Sequence, residues 1–429
     1  MTIIVTRMLS DYLDQVCAHV TNKEAHEGIR LELESHLLDM IDEQRERGMQ
    51  PEDAVRLAIQ RTGDAAELGA RYHNVHKPRM EWMLPALIAC MLGIGLLTMF
   101  SIKQSGMYSQ LSLFPRQLIY CTLGLALMVA LALLDYRKLK RYSIHMHIGI
   151  MLAMAATLLF GTMMNGRHYL SFGPLPLVDV IGLSPPLLLI AAAGIISSNW
   201  WKGKPLLISA LFVLPPCIMY VLHPSLPSLI IYICGTTAML TYAYRSWKPV
   251  VSLLALAPVA VALLVTNHLY FTRLLTVFQA HRDPHGSGYL IMRSLELLRE
   301  AGWLGHGLGA HTDKLPMVHS ELLFSYIVYC FGWLGGAVVC MVAFLFLLRF
   351  ASVWKRIGDL YGAAIALALL VVFLIQFAWS ILMALGLLPL AGYSLPFMSS
   401  GGAVMTMQLA SIGLVISICR RRHYHLFVI

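Results

Sequence analysis

An all-α, polytopic membrane protein is expected here: about ten spanning helices behind a small cytosolic helical domain. Three observations lead to it. Of the 429 residues, 58% are hydrophobic and only 13% charged, where a soluble domain carries about 25% charged residues. From Trp82 onward apolar runs of about 20 residues recur, the length that a bilayer core demands. Charge is also split along the chain, with a net of −4 over residues 1–79 and +13 over residues 80–429.

Residues 1–79 read as the cytosolic domain. Thr21 and Asn22 are placed to cap a helix running to about Arg47. Its apolar positions Ile29, Leu33, Leu37 and Ile41 recur every four residues, which is one helical face. Gly48 ends that helix, and Pro51 opens the next in the favoured first-turn position. Gly63 ends the second, and Asp64 caps a last one carrying Leu68 and Tyr72. Lys77-Pro78-Arg79 is the linker. Met1–Val5 is apolar, but Arg7, Asp11 and Asp14 follow at once, so no secretion signal is expected.

Residues 80–429 form the membrane domain, with spans near 82–101, 117–135, 143–163, 184–199, 205–222, 226–244, 249–269, 322–348, 360–385 and 402–419. The fourth is short and opens at Pro185-Pro186. Alternate loops are basic: Lys77 and Arg79, then Arg137 to Arg141, Lys202 and Lys204, Arg245 and Lys248, Arg349 to Arg356, and Arg420 to Arg422. By the positive-inside rule both termini are cytoplasmic. That rule and attraction to anionic headgroups account for the basic excess, so no nucleic-acid partner is called for. Eight cysteines without a C-x-x-C pair read as small buried hydrophobes.

The same topology leaves residues 270–321 as the one long outer loop. Within it, 289–300 alternates Leu290, Ile291, Leu295, Leu297 and Leu298 with Arg293, Glu296, Arg299 and Glu300. That pattern predicts an amphipathic helix lying on, or dipping into, the outer surface. Gly302, Gly305, Gly307 and Gly309 predict a flexible turn region after it. Only nine carboxylates follow residue 79, and five of them fall between Asp283 and Glu321. Acids are costly near a bilayer, so this concentration points to proton transfer or recognition of a polar ligand.

Six segments stand out: DPHGSGYLIMRSL (283–295), GWLGHGLGAHTDKLPMVHSELLF (302–324), FGWLGG (331–336), FPRQLIYCTLGLALMVALALLDYRKLKRYS (114–143), NGRHYLSFGPL (165–175) and SLPFMSSGG (394–402). They resemble the SEDS family of cell-shape, division and sporulation proteins. The resemblance covers about 90–429 in collinear order. It implies a ten-span membrane protein that polymerises lipid-linked peptidoglycan precursor beside a single-span class B transpeptidase, a penicillin-binding protein. Residues 1–79 lie outside it and resemble the helical prefix domain of some bacterial permeases. The chain departs from the family pattern at several places. His319-Ser320-Glu321-Leu322 stands where the family reads His-Thr/Ser-Asp-Phe with an essential Asp. Tyr329 and Cys330 replace paired acids, and Leu183-Ser184-Pro185-Pro186 replaces Gln-Pro-Ser-Glu. His223-Pro224-Ser225-Leu226-Pro227 stands for Gln-Pro-Asp-Leu-Gly.

Such chemistry needs a base for the acceptor hydroxyl and donors for the leaving diphosphate. Glu321 is the candidate base; the bland alternative is an acid that favours a helix start. Arg293, Lys314 and Arg167 are candidate diphosphate contacts, or simply cations facing headgroups. His319, Ser399 and Ser400 are candidate substrate contacts; the two serines equally suit a tight entry to the last span. Asp283 either caps the helix ahead of Gly288 or joins another outer acid on a divalent ion. His306, His311 and His319 are spaced by five and eight, unlike a compact ligand pair, so no metal site is assigned. No nucleotide motif is present, and the cofactor stays open, a divalent cation being one candidate. Two competing functions remain: a non-catalytic binder or flippase of the precursor or transpeptidase scaffold, and, more weakly, an ion-coupled transporter, which would place its acids at the midplane.

Overall fold

A computed structural model of the chain describes residues 3–20, 26–76, 82–108, 112–164, 167–170, 178–198, 208–223, 225–246, 288–312 and 318–421. It divides into two compact units, Met1–Met80 with Cys419–Ile429, and Glu81–Ile418.

In the first unit α1 (Ile3–Ala18), α2 (His26–Glu46), α3 (Pro51–Thr62) and α4 (Ala65–His76) surround one core. Ile29, Leu33, Leu37 and Ile41 are buried in it, as their spacing predicts. The first helix is an addition to the sequence reading. Its Leu9, Tyr12, Leu13 and Val16 recur at helical spacing and bury into the same core, beneath a charged face that drew attention away from them. Tyr12 ties it down by donating to the carbonyl of Gly63 at 2.9 Å.

Among its described residues the second unit is helical but for one hairpin, β1 (Thr162–Met164) paired antiparallel with β2 (Arg167–Tyr169). Among the described residues seven helices are long and apolar enough to span a membrane. They are α5 (Met83–Gln104), α6 (Leu113–Leu133), α8 (Ser143–Phe160), α11 (Leu226–Tyr244), α13 (Leu323–Trp354), α14 (Leu360–Ala384) and α15 (Gly402–Arg421). Two shorter apolar helices accompany them, α9 (Val180–Ile196) and α10 (Leu214–Leu222), the latter entered through a π-turn at Ser209–Val213. A five-residue basic helix, α7 (Arg137–Arg141), joins α6 to α8. The span expected at 249–269 lies outside the described residues.

The fourth span begins earlier than its prolines suggest. Asp179 caps α9 by accepting from the Gly182 N–H at 2.8 Å. Pro185 cannot donate to Ile181, so that carbonyl needs another partner. The Ser184 hydroxyl supplies it at 2.8 Å. The core of the unit is aromatic: Phe346 and Phe350 of α13 meet Phe373 and Phe377 of α14, and Phe397 stacks on Phe373 with ring centres 5.2 Å apart.

The helix expected at 289–300 is present as α12 (Tyr289–Glu300). It is docked on protein rather than lying loose on a surface. Ile291, Ser294, Leu297 and Leu298 are buried against α13 and α14. Ser294 donates to the Ala384 carbonyl and pairs with the Ser325 hydroxyl, both at 2.7 Å. The glycine segment behind it is likewise held, not flexible. The amides of His306 and Gly307 donate to Tyr329 and Cys330, and those of Trp333 and Leu334 to Gly302 and Trp303. This pairing is possible because α13 is kinked at Gly332, where φ is 70°. A side chain there would run into the Trp303 carbonyl.

Candidate functional site

The site forms where three distant segments meet: the first turn of α6, the turn 318–322 ahead of α13, and the segment 394–402 ahead of α15. The turn is anchored by Val318, Leu322 and Leu323, all essentially inaccessible. Segment 394–402 is held from several sides. Gln117 donates from Nε2 to the Ser399 carbonyl at 3.2 Å. Gln408 accepts from the Phe397 amide at 3.0 Å and donates to Gln376 at 3.1 Å. Phe397 is kept at φ 63°, an uncommon conformation for a bulky residue. Gly95 of α5 lets the helix pass directly under Met398.

The decisive contact joins two of the predicted motifs. Ser400 donates twice to the His319 carbonyl, from its amide at 3.0 Å and from its hydroxyl at 2.8 Å. Beside this join is a cavity of about 240 Å³ lined by Leu113, Arg116, Tyr120, His319, Ser400 and Gly402. The His319 ring meets Tyr108 edge-on at 5.0 Å, and its buried Nδ1 has no hydrogen-bond partner among the described residues. Burial pushes the imidazole pKa down, so the ring is neutral near pH 7. The cavity's cation is therefore Arg116, set in the first turn of α6, where the helix dipole adds positive potential. A cavity so built suits an anionic oxygen ligand, which Arg binds with its forked donors.

Of the predicted site residues, the structure brings His319 and Ser400 together on the cavity. Ser399 is buried beside it, with its carbonyl held by Gln117. Glu321 is half-buried in the same turn, two residues beyond His319, and does not itself line the cavity. Arg293 lies on α12, ion-paired with Glu296 at 2.5 Å and stacked over the Tyr289 ring at 5.4 Å, away from the cavity lining. The Arg167 backbone is in β2, and its side chain lies outside the described residues, as do Asp283 and Lys314. Among the described residues no three His, Cys, Asp or Glu side chains gather as metal ligands.

Arg116, Gln117, Tyr120 and Tyr108 went unnoticed in the sequence. A signal was available for Arg116: it interrupts the apolar beginning of a span, where an ionisable residue implies a role. The positions of the replaced acids are now clear as well. Cys330 is buried beside Ser101, whose hydroxyl faces Tyr326 Oη at 3.3 Å and accepts from the Gly309 amide at 2.9 Å. Tyr326 donates to the Ala310 carbonyl at 3.1 Å. A neutral network holds the loop there.

Comparison with known proteins resolves the family. The model described as "Cell cycle protein", which covers FtsW, RodA and SpoVE, matches residues 80–424. The chain belongs to that family. The probable peptidoglycan glycosyltransferase FtsW of Nitrosomonas europaea is 25% identical over 371 residues, covering 81% of this chain and 95% of that protein. Stage V sporulation protein E of Bacillus subtilis is 29% identical over 167 residues, 38% of this chain and 46% of its own length. Among solved structures, the rod shape determining protein RodA of Thermus thermophilus aligns with a TM-score of 0.58 at 22% identity, over 80% of this chain and 97% of that one. A chain of the structure reported as "Structural coordination of polymerization and crosslinking by a peptidoglycan synthase complex" aligns with a TM-score of 0.66 at 24% identity, over 80% and 98%. At these identities the two structures establish the fold: an all-α, multi-pass membrane protein of the FtsW/RodA/SpoVE kind.

Proposed function

We propose that this FtsW/RodA/SpoVE-family protein is a peptidoglycan glycosyltransferase that extends glycan from lipid-linked precursor, serving division, cell shape or sporulation. The observation that carries this reading is the Ser400–His319 join, beside a cavity lined by Arg116 and by His319, which precedes Glu321 by two residues in the same turn. In the reaction, the acceptor sugar hydroxyl gives its proton to the Glu321 carboxylate. Its oxygen bonds to the donor's anomeric carbon as the bond from that carbon to the phosphate oxygen breaks. The electron pair leaves on the diphosphate, whose charge Arg116 and the positive end of α6 stabilise. His319, being neutral, shapes the cavity without competing for the anion. Arg293, Lys314, Arg167 and Asp283 are assigned to outer precursor contacts on resemblance alone.

The bias of the basic loops supports cytoplasmic termini and a site on the outer face. A single-span class B transpeptidase is the expected partner, and residues 1–79 are a separate cytosolic prefix domain.

The test is polymerisation of lipid-linked disaccharide-peptide by the purified full chain, alone and with a single-span transpeptidase. A general base contributes roughly 10²- to 10⁴-fold, so Glu321→Gln should lose at least about a hundredfold, and Arg116→Gln should also be impaired. Unchanged activity of Glu321→Gln removes Glu321 from the mechanism. No polymer from wild type with any partner removes the enzyme reading. It would favour a precursor-binding or translocating scaffold, a reading supported by the neutral Ser101–Tyr326–Cys330 network at the replaced acids. In that event Glu321→Asp decides whether the extra methylene alone is responsible.

A further inference from the structure

The end of the bundle opposite the candidate site carries a second cavity. It measures about 480 Å³ and is lined by Arg137, Lys140, Arg141, Ser143, Ile144, Gly194, Ile195 and Ser198. It exists because α8 and α9 approach closely at Gly194, where a side chain would collide with the Ser143 hydroxyl. Tyr136, buried and stacked on Tyr361 with centroids 6.0 Å apart, fixes where α7 begins and so aims its cations. Arg137 is shared with acidic neighbours: Asp135, which accepts from its amide at 3.0 Å, and Asp359, which caps α14. Lys140 and Arg141 are exposed and ion-paired to no described residue. The cavity thus presents two uncommitted cations at the N-terminus of an 18-residue helix.

Topology explains why basic residues occur at this end of the protein. It does not explain why they line a cavity whose other wall is apolar. That wall, Ile144 and Ile195, continues along α8 as Ile148 and Leu152, spaced four apart and exposed, on the least buried of the candidate spans. Cations above an outward-facing apolar stripe match a molecule with an anionic head and hydrocarbon tails. A free phosphate would use only the upper half of this surface.

We propose that this cavity binds the headgroup phosphate of an anionic membrane phospholipid from the leaflet on the basic side. Lys140 and Arg141 hold the phosphate, and the acyl chains lie along Ile144, Ile148 and Leu152. The site is separate from the glycosyl-transfer cavity and does not depend on that reading.

The experiment uses the full chain delipidated in neutral detergent, with lipid binding read by native mass spectrometry. Phosphatidylglycerol should bind in preference to phosphatidylcholine. The double substitution Lys140→Gln/Arg141→Gln should weaken phosphatidylglycerol binding about thirtyfold, from roughly fivefold per cation near a membrane surface. Lys355→Gln/Arg356→Gln removes the same charge from another exposed basic loop and should leave binding unchanged. Ser198→Trp fills the cavity with no change of charge; it should reproduce the loss, and it decides the matter should the double variant fail to fold. Equal loss in both charge variants, equal binding of the two lipids, or full binding by Ser198→Trp overturns the proposal. Competition by millimolar inorganic phosphate with equal potency also overturns it, since the ligand would then be soluble.

Discussion

Ser400→Ala tests the join on which the candidate cavity depends. The substitution deletes the hydroxyl that donates to the His319 carbonyl at 2.8 Å and leaves the amide that donates to the same oxygen at 3.0 Å. A hydrogen bond contributes about 0.5–1.5 kcal/mol net, so the tie should lose about half its strength without being abolished. At about 1 kcal/mol the ordered arrangement of turn 318–322 falls roughly fivefold relative to its alternatives. Global stability should barely respond, because in a chain of this size 1 kcal/mol moves the melting point by roughly 2 °C or less. Catalysis should respond more, since misplacing a reacting group by about 1 Å costs on the order of a hundredfold. The expected outcome is a five- to tenfold fall in polymerisation rate, with a nearly unchanged melting temperature. It is measured by product chain formation alongside a thermal melt in the same detergent. Wild-type activity would mean that the backbone bond suffices and that the hydroxyl organises nothing. A large drop in melting temperature would mean that the bond is structural rather than local to the site.

Gln117→Leu keeps the side chain's bulk but leaves the buried Ser399 carbonyl without its side-chain donor. It should cost about 1–3 kcal/mol, read as a lower melting point together with reduced activity. Gly332→Ala puts a side chain where φ is 70° and the Trp303 carbonyl is in the way. Roughly 2–6 kcal/mol is expected from strain and overlap; a melting point equal to wild type would show the kink to be independent of glycine. Burial holds the His319 pKa below its ordinary value of 6.5. Its contribution to stability is therefore complete above pH 6.5 and is lost as pH falls through the lower folded value. His319→Gln should flatten the melting-temperature profile between about pH 7 and 5, while His223, also depressed by burial, leaves a residual slope.

Local pattern made much of this architecture readable in advance. Apolar length marked the spans, the 3.6-residue period marked α12, and the four-residue spacing of Ile29, Leu33, Leu37 and Ile41 marked a buried face. The same rule applied to Leu9, Tyr12, Leu13 and Val16 predicts α1, a stretch whose early charges were weighed only against a secretion signal. The glycine segment misled for a different reason. Positive-φ glycines are equally suited to loose turns and to backbone running flush against backbone, and the kink at Gly332 selects the second.

Chemistry-bearing residues could be nominated where the side chain itself is the signal; of these, His319 and Ser400 come to line one cavity, while Glu321 lies in the same turn outside its lining. Their assembly was not readable. The bonds that unite 394–402 with turn 318–322 and with α6 end on main-chain carbonyls, which every residue possesses, and so leave no mark on amino-acid type. Arg116 joins them only because α6 enters beside segment 394–402, with Gly402 packed directly under Tyr120. Hydrophobic length, being a property of single segments, marks which helices of this chain can span a bilayer. Which carbonyl meets which hydroxyl, and so where a cavity opens, depends on helices nearly three hundred residues apart coming to rest against each other.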